Sequence, residues 1–447
     1  MTDPQDVTLR VEPGGRLQGC CRVPGDKSIS HRAIMLGALA EGDTRITGFL
    51  EGEDCLATLK AFRAMGVEIK GPEHGEVHVS GVGLHGLKAP QRPLDVGNSG
   101  TSMRLMAGLL SGQAFDSILT GDASLTRRPM RRVTEPLARM GARIRTSDEG
   151  TPPLHIQGRA SLQGVDYRMP IASAQVKSSL LLAGLYAQGQ TCVTEPAPTR
   201  DHTERMLSGF GYRVQRHDGC VCLRGEGRLQ GGAIDVPADI SSAAFFLVGA
   251  SIAADCQLRL EHVGMNPTRT GIIDILRLMG AHIQVENPRE VGGEPVADLR
   301  VQSAPLRGVR IPPELVPLAI DEFPALFVAA ACAQGETVLT DAEELRVKES
   351  DRIQVMAEGL NTLGIQARPT PDGIVIEGGS FTGGTVNSHG DHRVAMSFAM
   401  AGLRAQAPIR ILHCANVNTS FPGFVDLAAR MGLHIQQQDI QQQEGGA

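Results

Sequence analysis

Six glycines, Gly66, Gly141, Gly211, Gly280, Gly364 and Gly432, each lie in one repeated phrase: bulky apolar residues, the Gly, then apolar residues leaving in alternation. The copies are FRAMGVEI, LARMGARI, LSGFGYRV, LRLMGAHI, LNTLGIQA and AARMGLHI, with glycines 75, 70, 69, 84 and 68 residues apart. Each copy reads as a helix end, a left-handed Gly that closes it, and a departing strand. A unit of this length exceeds the ~20 to 50 residues of common solenoids. The chain is therefore expected to be an α/β protein of six modules.

A second series runs in phase with the first. SHRAIMLGALA, TSMRLMAGLL, AQVKSSLLLAGLYA, SSAAFFLVGASIA, FPALFVAAACA and HRVAMSFAMAGL favour helix and are apolar almost all round. Each is shorter than the ~20 residues needed to span a bilayer. They are expected to be buried core helices.

The starts of these helices carry Asp26, Lys27, Ser28 and Arg32; Asn98, Ser99, Gly100 and Thr101; Ser173, Gln175 and Lys177; Asp239, Ser241 and Ser242; Asp321 and Glu322; and Asp391, His392 and Arg393. Ser, Asn and Asp are ordinary N-caps, which is the plain account of any one cluster. Lys and Arg oppose the macrodipole at that end. Their recurrence points to anions held jointly by backbone N–H groups and side-chain cations.

The net charge of −6 leaves no footprint for nucleic acid or an anionic membrane, and the absence of Trp leaves little for base stacking. Only six of 43 basic residues are Lys, and three of those, Lys27, Lys177 and Lys348, fall in the motifs. Nine cysteines show neither zinc spacing nor a secreted disulfide framework, and are expected to be reduced thiols. His31, His202, His389 and His392 lack paired zinc-site spacing, so no metal is expected. The N-terminal MTDPQDVTLRV has no signal-like pattern, and a cytoplasmic protein is expected.

VPGDKS at Val23 and VPADIS at Val236 match in form, with three modules between them and three after. This divides the chain into one domain over residues 23–237 and a second built from 1–22 and 238–435. A two-strand hinge would join them, and residues 436–447 would be a frayed tail. Domain clefts are favoured ligand sites, and closure about a hinge would exclude water.

The motifs VPGDKSISHRAIMLGALAEG, DVGNSGTSMRL, LTRRPMRR, IASAQVKSSLLLAG, RDHTERML, AIDEFPALFVAAA, LRVKESDR and HGDHRVAMS together resemble the enolpyruvyl transferases. Within them the chain is most similar to the 5-enolpyruvylshikimate-3-phosphate (EPSP) synthase family. SAQVKS, RPMRR, NPTR and EELRVK resemble the subgroup called class II. The resemblance implies two inside-out α/β domains, each of three βαβαββ units around buried parallel helices. It further implies transfer of the carboxyvinyl group of phosphoenolpyruvate to the 5-hydroxyl of shikimate 3-phosphate, in the route to aromatic amino acids, without a cofactor.

By the same resemblance, Lys27, Asn98, Gly100, Arg128, Gln175, Arg352 and Arg393 surround phosphoenolpyruvate. Ser28, Arg32, Ser173, Ala174, Gln175, Arg200, Asp321 and Lys348 surround shikimate 3-phosphate. Any single Arg is more commonly a surface ion pair; the ordered set is what carries weight. Addition followed by elimination needs one group to take the hydroxyl proton and another to exchange protons at the methylene carbon. Asp321 is the candidate for the first, Glu349 for the second, with Lys27 sharing the proton exchange or stabilising charge.

Two positions depart from the family or vary within it. Thr419, in NTSFPG, stands where many members have Lys. Gly100 leaves space that Ala fills in some glyphosate-insensitive members, so glyphosate is expected to enter as a competitor of phosphoenolpyruvate. The sister transferase acting on UDP-N-acetylglucosamine is the alternative, yet Ala123 stands where that family places a reactive Cys or an Asp. A non-catalytic scaffold binding phosphate esters is the other alternative, and a monomer is the expected oligomeric state.

Overall fold

In the computed structural model, described for residues 7–158, 161–225 and 227–439, all six apolar segments form helices. They are Lys27–Leu39, Gly100–Ser111, Ala174–Gly184, Ile240–Ile252, Phe323–Ala331 and His392–Ala401. Five are capped by a side-chain oxygen: Asp26, Ser99, Ser173, Asp239 and Asp391 each accept a first-turn backbone N–H. The Phe323 helix has instead Pro324 in its first turn, where a missing N–H leaves no bond unmade. Every residue of Ile240–Ile252 and of Phe323–Ala331 is buried. That explains why these segments show no polar face in the sequence.

The six repeat glycines all have positive φ, between 80° and 111°. Each separates a helix that ends within a few residues from a strand, as at Glu53–Ala64 and Glu68–Glu73 around Gly66. At Gly432 space adds to conformation, since a Cβ there would lie 2.1 Å from the Arg16 carbonyl oxygen.

The chain divides into two units. One comprises Gly25–Pro237 with Glu290–Glu294; the other takes the residues before Gly25, Ala238–Arg289 and the residues from Pro295 onward. Each has its own apolar core, one running from Ile29 to Val236 and the other built around Ile240–Ile252, Phe323–Ala331 and His392–Ala401.

The first unit holds three four-stranded sheets. In each, a parallel pair is extended by antiparallel strands. Leu94–Asp95 runs parallel to Ser117–Thr120 with the Gly100 helix as the crossover, and Asp166–Arg168 runs parallel to Gln190–Thr194 with the Ala174 helix as the crossover. The late strand Ala233–Asp235 closes the third sheet against Glu41–Thr47. The second unit repeats the plan: Gln18–Cys21 lies parallel to Gln257–Gly264, and Gly384–Asn387 parallel to Ile409–Leu412. Its remaining sheet has three strands, with an isolated parallel bridge between Arg310 and Val338 where a fourth would stand.

Three expectations change. Residues 290–294, assigned from sequence to the second domain, belong with the first unit. There Glu294 lies 2.7 Å from His202 Nδ1 and the Gly293 carbonyl accepts from Arg205. The polar stretch after Ile435 begins as strand: Gln436, Gln437 and Gln438 continue Leu433–Asp439 in register with Arg10, Leu9 and Thr8. Backbone pairing at a sheet edge requires no apolar side chain; the rest of the expected tail, 440–447, lies outside the described residues. Finally, Cys192 and Cys222 are joined as a disulfide, correcting the reading of nine reduced thiols. They stand directly opposite each other on antiparallel strands, a pairing invisible at a separation of 30 residues.

Candidate active site

In the first unit the sequence-identified residues gather at three helix starts. Asp26 accepts the Ile29 N–H and so fixes the first turn that carries Lys27 and Ser28. Lys27 is ion-paired with Asp54, which is buried. One turn on, Arg32 is 4% exposed and donates to Ser28 O at 2.8 Å, Thr203 Oγ1 at 2.7 Å and Ser178 Oγ at 2.9 Å. All three acceptors are neutral oxygens. Burial pulls the guanidinium pKa down to about 10, with nearby Arg200 adding to the depression and Glu204 and Asp26 opposing it. A buried cation in this setting is stabilised by any anion that reaches it.

The second start is built around Asn98 and Gly100. Asn98 accepts from Arg128 Nη2 at 2.8 Å and donates to Asp122 at 2.7 Å, so the carboxylate holds the amide and the amide aims the guanidinium. Asp122 also accepts the Leu125 N–H, which anchors the loop leading to Arg128. A Cβ placed on Gly100 would lie 2.9 Å from Arg104 Nη1 and 3.2 Å from Arg128 Nη1. Two guanidinium groups therefore flank that backbone. At the third start Ser173 caps the helix opened by Ala174. Gln175 accepts from Arg104 at 2.6 Å and donates to Thr101 at 3.1 Å.

Sequence reading missed four participants here. Arg104 orients Gln175 and borders Gly100 from inside a helix, where an Arg in an apolar run gave no separate signal. His31 bridges Thr58, Ser102 and Ser99 at 2.8, 3.2 and 3.4 Å, tying the Lys27 helix to the Gly100 helix. Burial, then Lys27 and Arg32, push its pKa well below the usual histidine range. Thr203 and Ser178 complete the Arg32 cradle. Lys177, singled out at a helix start, serves differently: it is buried and paired with Glu195 at 2.9 Å and Glu204 at 2.7 Å.

The second unit carries Asp321, Lys348, Glu349, Arg352 and Arg393, gathered around one side chain. Arg352 is 1% exposed and contacts Glu349 at 2.7 Å, Asp391 at 2.8 Å and Asp321 at 3.5 Å. Burial alone would lower its pKa, but Asp391, Glu349 and Asp321 outweigh it and raise it. Asp391 is fully buried; Arg352 overcomes the burial cost and holds its pKa below the usual carboxylate value. Lys348 approaches the same Asp321 oxygen at 3.5 Å, and Arg393 donates to the Asp321 backbone carbonyl at 3.2 Å.

Asp391, read from sequence as a helix-start residue, has a wider role in this cluster. It caps the His392 helix through the Arg393 N–H, accepts from Ser350 and pairs with Arg352, so one carboxylate ties two site segments together. Thr419 is buried and donates to its own turn at Asn416 O. It offers no charge there.

A model of the EPSP synthase family, 3-phosphoshikimate 1-carboxyvinyltransferase, matches residues 11–427. The chain belongs to the EPSP synthase family. Among its relatives, the 3-phosphoshikimate 1-carboxyvinyltransferase of Alkalilimnicola ehrlichii is 71% identical over 97% of this chain and 98% of its own. That of Methylococcus capsulatus is 69% identical over 97% and 99%. The EPSP synthase structure from Acinetobacter baumannii superposes with a TM-score of 0.89 at 58% identity, covering 97% of this chain and all of that one. The enolpyruvyl transferase NikO from Streptomyces tendae shares the fold, with a TM-score of 0.79 at 18% identity over 98% of this chain and all of its own. EPSP synthase membership thus agrees with the six-module α/β reading and with the motifs around which both clusters are built.

Proposed function

We propose that this chain transfers the carboxyvinyl group of phosphoenolpyruvate to the 5-hydroxyl of shikimate 3-phosphate, releasing inorganic phosphate. The observation that most directly supports this chemistry is the environment of Arg352, a permanent cation that holds two solvent-accessible carboxylates, Asp321 and Glu349, within 3.5 Å. The reaction needs two acid–base groups beside a cation that offsets substrate charge, and this cluster supplies them.

In the addition, Asp321 takes the proton of the 5-hydroxyl as its oxygen bonds to C2 of phosphoenolpyruvate, and Glu349 delivers a proton to C3. In the elimination, Glu349 takes a proton back from C3, the C2–C3 double bond re-forms as the C2–phosphate oxygen bond breaks, and the departing phosphate carries away the proton that Asp321 had taken from the hydroxyl. Lys27 shares the proton exchange or neutralises the departing phosphate. Lys27, Arg128, Arg352, Arg393, Asn98 and the backbone at Gly100 hold phosphoenolpyruvate. Ser28, Arg32, Ser173, Ala174, Arg200 and Lys348 hold shikimate 3-phosphate, and Gln175 touches both. The net reaction is redox-neutral and so calls for no redox cofactor, and in this reading the Lys and Arg side chains supply the charge that would otherwise be asked of a metal.

Phosphate release from phosphoenolpyruvate, measured in excess chelator with shikimate 3-phosphate or UDP-N-acetylglucosamine as acceptor, tests the reading. Release with shikimate 3-phosphate alone is expected; release with the nucleotide sugar alone, or with neither, overturns it. The bare Gly100 backbone supports glyphosate as a competitor of phosphoenolpyruvate. An inhibition constant far above the Michaelis constant for phosphoenolpyruvate would reject that part. Among the described residues no helix is long and apolar enough to cross a membrane. A cytoplasmic monomer is our reading, and it is open to sedimentation.

A further inference from the structure

Away from both clusters, one sheet face collects sulfur. Strands Gln190–Thr194 and Cys220–Arg224 run antiparallel, with Cys192 opposite Cys222. Successive side chains on a strand point to opposite faces. Thr191, Val193, Val221 and Leu223 therefore enter the core, while Cys192, Cys220 and Cys222 share the other, half-buried face. The Cys220 sulfur lies 3.8 Å from that of Cys222, and all three sulfurs lie within 4.8 Å of one another.

The neighbouring strand Gln215–His217 adds a nitrogen. His217 stands opposite Cys220 in the ladder. Asp218 and Gly219 join the two strands with φ of 45° and 71°. A two-residue turn with both central residues at positive φ fixes hairpin register, so His217 is held beside Cys220 by the turn. Its ring now lies 2.9 Å from the Asp218 carboxylate and is 90% exposed, so no packing opposes its rotation toward the sulfurs.

We propose that Cys192, Cys220, Cys222 and His217 form a site for a thiophilic divalent cation of the Zn2+ class, opened when the Cys192–Cys222 disulfide is reduced. Sulfurs bound at about 2.3 Å in a tetrahedral zinc site lie roughly 3.8 Å apart, which is the Cys220–Cys222 separation. Three thiolates and an imidazole are a standard structural zinc set. In the reduction a dithiol gives two electrons and two protons to the S–S bond, leaving two thiols and itself becoming a disulfide. Capture of the cation by three thiolates then releases three protons, with His217 neutral. Cys222 also lines a surface pocket of about 420 Å³ beside Gln190, Gln215 and Arg224, which gives reductant and cation an approach. The site escaped the sequence because Cys192 is far from the other ligands along the chain.

Titrating the full-length, dithiol-reduced and desalted protein with Co2+ as a spectroscopic probe tests this. One Co2+ per chain is expected, with sulfur-to-cobalt charge-transfer and tetrahedral ligand-field absorption, displaced by Zn2+ and absent from the oxidised protein. C192S, C220S and C222S should each cost more than the roughly 10- to 100-fold typical of losing an outer-shell partner. H217A should weaken binding without removing the charge-transfer band. Retained phosphate-release activity and unchanged melting in C220S and H217A would show that those variants are folded. No stoichiometric cobalt spectrum in the reduced chain, or one unchanged by C220S, overturns the site. An unchanged affinity in H217A overturns the imidazole ligand, and equal binding by the oxidised chain overturns the redox gate.

Discussion

Arg32 and Arg352 are both buried arginines in helices at the heart of their clusters, yet their surroundings are opposite. Arg32 is cradled by a carbonyl and two hydroxyls, and burial lowers its pKa. Arg352 is ringed by three carboxylates, which raise it. The first arrangement leaves positive charge for a ligand to neutralise. The second is neutralised from within and instead keeps carboxylates oriented for proton transfer. The one unit thus carries the kind of arginine suited to holding an anion, and the other carries the kind suited to orienting proton-transfer groups.

The largest expected break in this comparison is Arg352→Met. Removing one partner of a buried ionic cluster strands Asp391, and a loss of about 3–5 kcal/mol is expected in denaturant unfolding, with turnover abolished. A loss no larger than that of Arg32→Met would show that the carboxylate ring does not define Arg352. Glu349→Gln isolates the proton-transfer role. It should lower kcat by about 10²- to 10⁴-fold with substrate binding nearly retained, and near-normal turnover would remove Glu349 from the mechanism.

Arg32→Gln tests the other arginine. Because its present partners are neutral, the change should leave stability little altered. It should weaken shikimate 3-phosphate by about 1.5–3 kcal/mol, read as a raised KM at modest kcat cost. A kcat collapse with unchanged KM would reverse the contrast drawn here. The smallest effect belongs to His31, whose folded pKa is depressed by burial and by Lys27 and Arg32. The unfolded chain then binds a proton that the folded chain refuses, so stability is full above about pH 6.5 and falls as pH drops below it. His31→Gln should flatten that part of the melting-temperature profile; an unchanged slope would place the titration elsewhere.

The modular plan was legible because it rests on local rules. Gly closes a helix wherever φ must be positive, and a helix enclosed on every side must be apolar on every side. The cations at helix starts were legible for a related reason, since they violate the dipole preference and so announce a second purpose. Asp391, Arg104 and His31 were not legible as site components. Nothing in HGDHRVAMS distinguishes a capping Asp from one that also neutralises an Arg 39 residues away.

The sequence by itself determined the six modules, the closing glycines, the family and the positions from which charge would be presented, because each follows from neighbouring residues or from motif order. Tertiary structure alone decided which cation meets a carboxylate and which meets a hydroxyl. It alone withdrew Lys177 into a buried ion cluster, placed residues 290–294 with the first unit and brought Cys192 beside Cys220 and Cys222. Those outcomes depend on separations of a few ångströms between residues distant in the chain, and electrostatic and ligand chemistry change character over that distance.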